Sequence, residues 1–180
     1  EAGRLVALIS DIIKLSKLED PEPSTIELQP VNLLALAKEC AETLEMIASK
    51  KQVKIKVKGE DCFVKGDNSK LYELIYNLCD NAIRYNKENG TVQITVKKNK
   101  EKANIIVSDT GIGIENQYTD RVFERFFRED KSRSKETGGT GLGLAIVKHI
   151  AELHNAEIKL ESKKGHGTKI TVIFDLLSVF

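Results

Sequence analysis

From Ser24 onward the sequence alternates between two hydrophobic periods, and this limits the possible fold more than any other feature. Runs repeating every 3.6 residues read as amphipathic helices, and runs repeating every two read as half-buried strands. TIELQP (25–30) reads as a short strand, residues 31–51 as a helix of about five turns, and VKIKVK (53–58) as a strand. Asp67 is placed to N-cap a helix over 68–85. TVQITVK and ANIIVSD read as two strands joined by a Lys-rich turn, a hairpin. A helix over 141–154 and the strands AEIKLES and GTKITVIFDL follow. Helices mixed with hairpin-linked strands predict an α/β fold: a two-layer α/β sandwich with helices on one face of a mixed sheet.

The chain of 180 residues suits one compact domain with a small appendage. Residues 1–20 form that appendage. Leu5, Leu8, Ile12 and Leu15 stripe one side of a short amphipathic helix, and the EDPEP run (19–23) stops it. The domain proper is expected over 21–180. With 28 Lys and Arg against 27 Asp and Glu, bulk positive charge does not hold nucleic acid. No apolar run is long enough for a membrane span, so no membrane contact is expected of these residues. Cys40, Cys62 and Cys79 are odd in number and far apart, which predicts reduced thiols filling a core. A start at Glu1, without an initiator Met, predicts a piece of a longer protein.

Three features carry chemistry. Eight of the 12 glycines fall in three clusters: Gly111 with Gly113, Gly138 to Gly143, and Gly165 with Gly167. The middle cluster, GGTGLGL, opens a helix and so offers unpaired backbone N–H groups to an anion. The stretch 121–135 before it carries six cations against three anions, which suits a polyphosphate. No GxxxxGK[ST] occurs, and no strand precedes the glycines as a Rossmann turn requires. Second, Glu73, Asn77, Asn81 and Arg84 share a helical sector about 80° wide, with Asn77 and Asn81 one turn apart. Neutral amide oxygens so placed suit Mg²⁺ that already carries phosphates and water. Third, an apolar strand delivers Asp109 to its end, in ANIIVSDTGIGI. The DTG tripeptide also occurs in aspartic proteases. A single copy there needs a homodimer, and that reading leaves the asparagines and GGTGLGL unused.

These segments together resemble the sensor histidine kinases. Asn77-Leu-Cys-Asp-Asn81-Ala-Ile-Arg-Tyr85 is similar to their N box, and Asp109-Thr-Gly-Ile-Gly113 to the first glycine box. Val122-Phe-Glu-Arg-Phe-Phe-Arg128 resembles the F box, Gly139-Thr-Gly-Leu-Gly-Leu144 the second glycine box, and Gly165-His-Gly-Thr168 the last. The run 123–149 further resembles the phosphate-sensing and cell-wall-sensing subgroup. The resemblance implies the Bergerat ATP-binding fold shared with gyrase and certain chaperones, with ATP and Mg²⁺ as ligands.

Carried over by position, it implies that Asp109 takes the adenine amine, with Gly111, Gly113 and Thr168 shaping that pocket and Tyr85 packing by ribose or base. It implies Asn81 and Asn77 at the metal, Arg84 and Arg128 at phosphate oxygens, and the backbone of Gly139, Gly141, Leu142, Gly143 and Leu144 around the phosphates. Residues 110–140 would contain a mobile lid. The implied reaction is transfer of the γ-phosphoryl group to a histidine and then to an aspartate of a response regulator. The phosphoacceptor sits on a dimeric hairpin domain. Residues 1–20 resemble the end of its second helix, but no HELRTPL-like motif occurs here. His149, His154 and His166 are expected to face solvent or cap local structure. The implied location is cytoplasmic, as part of a membrane-anchored parent. A nucleotide-holding switch without transfer and an anti-sigma-type serine kinase are the competing readings. Departures from the family pattern are Arg84 for Lys, Phe127 for Tyr, and Asn155-Ala156 for a Gly-Gly turn. Asn77 stands where gyrase-type relatives carry the water-activating Glu.

Overall fold

A computed structural model describes residues 28–129 and 140–177. The helix expected within 1–20 and Gly139 lie outside them. The described elements are β1 (Gln29–Asn32), α1 (Leu33–Lys50), β2 (Lys54–Gly59), β3 (Phe63–Gly66), α2 (Asn68–Arg84), β4 (Thr91–Asn99) and β5 (Lys102–Asp109). A 3₁₀ turn (Asn116–Tyr118), α3 (Gly143–Leu153), β6 (Glu157–Ser162) and β7 (Thr168–Asp175) complete the order. Five strands form one sheet in the order β2-β4-β5-β7-β6. The β2–β4 pair is parallel and the rest are antiparallel, so the sheet is mixed as expected.

Alternation decides which sheet face is covered. Val92, Ile94 and Val96 of β4, Ala103, Ile105 and Val107 of β5, and Ile170, Val172 and Phe174 of β7 are buried. They meet Leu44 of α1, Leu71, Leu74 and Leu78 of α2, and Ile146 and Ile150 of α3 in one continuous core. α2 lies between α1 and α3. At the sheet borders, Lys54, Lys56 and Lys58 of β2 and Glu157, Lys159 and Glu161 of β6 are exposed. The three cysteines are free and buried. Burial pushes the Cys40 thiol up to about 12, with the Glu39 charge adding to it.

Several boundaries differ from the sequence reading. β1 runs two residues further than the predicted strand, because Val31 pairs with Val64 of β3 in a small separate ribbon. β3 itself is absent from the reading: FVKG is too short to show a period. α1 consequently starts at Leu33, where the Asn32 side chain accepts from the backbone N–H groups of Leu34 and Ala35. α3 starts at Gly143 rather than Gly141, since Gly141 has a φ of 77° and belongs to the turn before it.

The far end of α3 shows how a histidine and an asparagine substitute for simpler caps. The N–H of Asn155 donates to Glu152 and that of Ala156 to Ala151, a Schellman closure with Asn155 left-handed at φ 50°. His154 Nε2 accepts the Asp67 N–H at 3.0 Å, and Nδ1 donates to the Ile150 carbonyl at 2.8 Å. His154 therefore ties the end of α3 to the start of α2, the capping role expected of it.

Asparagine tolerates the left-handed region through its short polar side chain, whereas a β-branched residue does not. Asn155→Val should lower the urea midpoint by an amount equivalent to about 1–2 kcal/mol with the denaturant slope unchanged, and Asn155→Gly should not.

Candidate functional site

The central strand β5 ends at Asp109, opposite Val92 of β4. The turn that follows doubles back on its side chain. Asp109 Oδ1 accepts the Gly111 N–H at 2.7 Å and the Thr168 N–H at 3.3 Å, so two separate loops converge on one oxygen. Oδ2 has no hydrogen-bond partner among the described residues. Burial raises the pKa of this carboxyl above its ordinary value, and the two backbone donors offset part of the rise.

Glycine is required where the loops press together. Gly113 has a φ of 65°, and a Cβ there would fall 2.0 Å from the Lys163 carbonyl oxygen. Gly167, at φ 87°, would put its Cβ 2.0 Å from the Asp109 carbonyl oxygen. The Gly165 N–H donates to Ile112 at 2.7 Å, closing the same seam. Tyr85, the C-cap of α2, receives the Ile112 N–H on its carbonyl at 3.1 Å, and its ring is exposed. The structure thus brings Asp109, Gly111, Gly113, Thr168 and Tyr85 together.

One turn before Tyr85 lies a second group. A Cβ on Gly143 would stand 3.2 Å from Asn77 Oδ1 and 3.3 Å from Asn81 Nδ2. The start of α3 therefore faces the asparagine stripe of α2 with no side chain between. Asn77 Nδ2 donates to the Glu73 carbonyl at 2.8 Å, leaving its Oδ1 on the α3 side. Asn32 and Asp67 cap α1 and α2 with their side chains. α3 has Leu142 at that position, with no side-chain cap and no acidic residue in its first turn. Its leading N–H groups lack intrahelical acceptors, which makes this end attractive to an anion. Leu142 is fully buried and Leu144 packs against the core, so neither side chain reaches a ligand, and the Leu142 N–H meets Thr140 Oγ1 at 3.4 Å.

Two arginines are placed differently from the glycines and asparagines. Arg84 pairs with Asp80 one turn back, Nη2 to Oδ2 at 2.8 Å. Arg128 lines a recess of about 400 Å³ with Tyr118, Arg121 and Phe127. The Phe127 ring lies 5.7 Å from that of Tyr118 and 4.7 Å beneath the Arg121 guanidinium. Apart from the 3₁₀ turn, the described part of 110–140 is irregular up to Glu129, as the sequence suggested. Sequence reading missed Ser162. Its hydroxyl accepts the Ile114 N–H, donates to the Gly167 carbonyl and touches Thr168 Oγ1, each at 2.9 Å. No motif marked it, because its partners come from two other segments.

The family model described as "Histidine kinase-, DNA gyrase B-, and HSP90-like ATPase" matches residues 66–178. The sensor-like histidine kinase SenX3 of Mycolicibacterium smegmatis is 40% identical over 173 residues, covering 96% of this chain and 45% of that protein. The phosphate regulon sensor protein PhoR of Pseudomonas aeruginosa is 34% identical over 175 residues, covering 97% of this chain and 39% of PhoR. The chain therefore spans less than half the length of these curated relatives. Among solved structures, the mycobacterial sensor histidine kinase MprB superposes with a TM-score of 0.74 at 27% identity, over 84% of this chain and 99% of that one.

The raised Asp109 pKa fixes the sign of a stability effect. Between its ordinary and raised values the folded protein holds a proton that the unfolded chain has released, so stability falls as pH rises through that interval. Above that interval the ionised carboxylate destabilises the fold, because its burial is offset only in part by the two backbone donors. Asp109→Asn keeps an oxygen for the two backbone donors. Its unliganded urea midpoint at pH 7 should equal or exceed the wild type's, and the difference should shrink on acidification.

Proposed function

The chain belongs to the histidine kinase-, DNA gyrase B- and HSP90-like ATPase family, as an ATP-binding catalytic domain of the sensor histidine kinase kind, and from that premise we propose how its residues work. Asp109 Oδ2 accepts a hydrogen from the adenine amine, while Gly111, Gly113, Thr168 and Tyr85 border the base and ribose. The phosphates lie against the backbone N–H groups of Gly141 to Leu144. The observation that carries this reading is the half-occupied Asp109 carboxylate, whose turn is tied through Ile112 to Tyr85 on the helix whose two asparagines face the start of α3. Tyr85 and Asn81 are four residues apart, about 6 Å along α2, which suits a ligand with a base at one end and phosphates at the other.

The amide groups of Asn77 and Asn81 fit Mg²⁺ in its phosphate-bound form, because their oxygens are neutral, stand one turn apart and border the same helix start, Asn81 by its Nδ2 and Oδ1 together. The bound cation would neutralise charge on the β- and γ-phosphate oxygens. Arg84 would leave Asp80 to meet a phosphate oxygen, and Arg128 would approach from the segment after the 3₁₀ turn. In the transfer step a histidine ring nitrogen outside this chain bonds to the γ-phosphorus. The bond from that phosphorus to the β–γ bridging oxygen breaks, and ADP leaves. Asn77 supports transfer to protein rather than water, since an amide cannot take a proton from water as a carboxylate does. The parent would relay the group to a response regulator aspartate. Its hairpin domain would form the homodimer, and these residues would lie in its cytoplasmic part. No helix among the described residues is long and apolar enough to cross a membrane.

Incubating the chain with γ-labelled ATP, Mg²⁺ and a separately supplied hairpin domain should yield acid-labile phosphohistidine on the hairpin. An acid-stable product, or none despite bound ATP, overturns the transfer reading. Asn81→Ala should abolish the Mg²⁺-dependent transfer, and an unchanged rate would remove Asn81 from the metal. Asp109→Asn presents an N–H to the adenine amine where an acceptor is needed, and should weaken ATP binding roughly 10- to 100-fold by calorimetry.

A further inference from the structure

Ser162 ends β6 directly opposite Thr168, the first residue of β7. Its hydroxyl has one proton and two lone pairs, and it makes three contacts of 2.9 Å. The Gly167 carbonyl has no hydrogen to give, so the Ser162 proton goes to it. The Ile114 N–H fills one lone pair. Only one lone pair remains for Thr168, so the third contact requires the Thr168 hydroxyl to donate. All three contacts are satisfied in this single arrangement.

Thr168 therefore has its proton committed to Ser162 and can offer a ligand lone pairs only. Its backbone N–H is likewise committed, to Asp109 Oδ1. The carboxylate beside it is also an acceptor. We infer that Ser162 is a positioning residue for base selection: by fixing the direction of the Thr168 hydroxyl, it turns this edge of the pocket into a surface of acceptors without a donor. This rests on the proposed nucleotide reading of the same pocket and extends it to a residue two elements away from the base. An acceptor-only edge suits, in direct contact, a purine whose 6-position carries an amine. It opposes a 6-oxo group, whose lone pairs would face those of Thr168. Without Ser162 the Thr168 hydroxyl is free to turn its proton toward a 6-oxo base.

The test compares ATP with inosine triphosphate, which differs from it in carrying a 6-oxo group and an N1 proton. Affinities are measured by calorimetry on the whole chain and its variants, with folding checked by thermal unfolding. Ser162→Ala should lower the ratio of ATP to inosine triphosphate affinity roughly tenfold, and Ser162→Thr, which keeps the hydroxyl, should restore it. A role confined to holding the loops together would weaken both nucleotides equally and leave the ratio unchanged; that result overturns the inference. If Ser162→Ala does not fold, Thr168→Val carries the test. It removes the oriented hydroxyl and should lower the same ratio, and an unchanged ratio there also overturns the inference. Failure of the wild-type chain to bind ATP at all is a different outcome, because it removes the nucleotide reading itself.

Discussion

The site depends on one carboxylate oxygen shared between two loops. Asp109 Oδ1 takes one hydrogen bond from the turn that follows β5 and another from the start of β7. The shared acceptor orients the side chain and holds the loops together with their positive-φ glycines interlocked. One oxygen is consumed by architecture, and the other is left for chemistry. The price is a half-buried negative charge at the end of the same strand face that carries Ala103, Ile105 and Val107 into the core.

α2 is the rail on which the two halves of the site are spaced. Its inner face is apolar and locked between α1 and α3, so the polar stripe cannot rotate away. Asn77 and Asn81 face the α3 start, and Tyr85 receives the loop beyond Asp109. Its own first turn is capped by Asp67, whose backbone N–H is held in turn by His154 from the end of α3. The two helices are thus pinned at one end by a neutral imidazole. At the other end, the backbone donors of α3 are left open.

What was legible in the sequence was the local chemistry. Asp67 as a cap and the β4–β5 hairpin follow from short-range rules, whereas the grouping of Asp109 with the glycine turns was implied only by the resemblance to the kinase boxes. What was not legible depends on pairing across the chain. β3 has four residues and shows its nature only beside β1. Gly141 looks like a helix opener until its positive φ places it in the preceding turn. Arg84 reads as a free phosphate ligand by motif, yet Asp80, four residues earlier in the same box, holds it as an ion pair. Ser162 gains its meaning from Ile114 and Gly167, and no spacing within its own strand announces that.

The charged rims of the five-stranded sheet have a consequence of their own. A border strand carries unpaired backbone groups and is a template for strand addition by another molecule. On β2 this border bears Lys54, Lys56 and Lys58, and on β6 it bears Glu157, Lys159 and Glu161. Extending the sheet past β2 would stack like charges on a second copy, and past β6 it would strip water from three ionic side chains. Among the described residues, both margins therefore discourage edge-to-edge aggregation of the sheet.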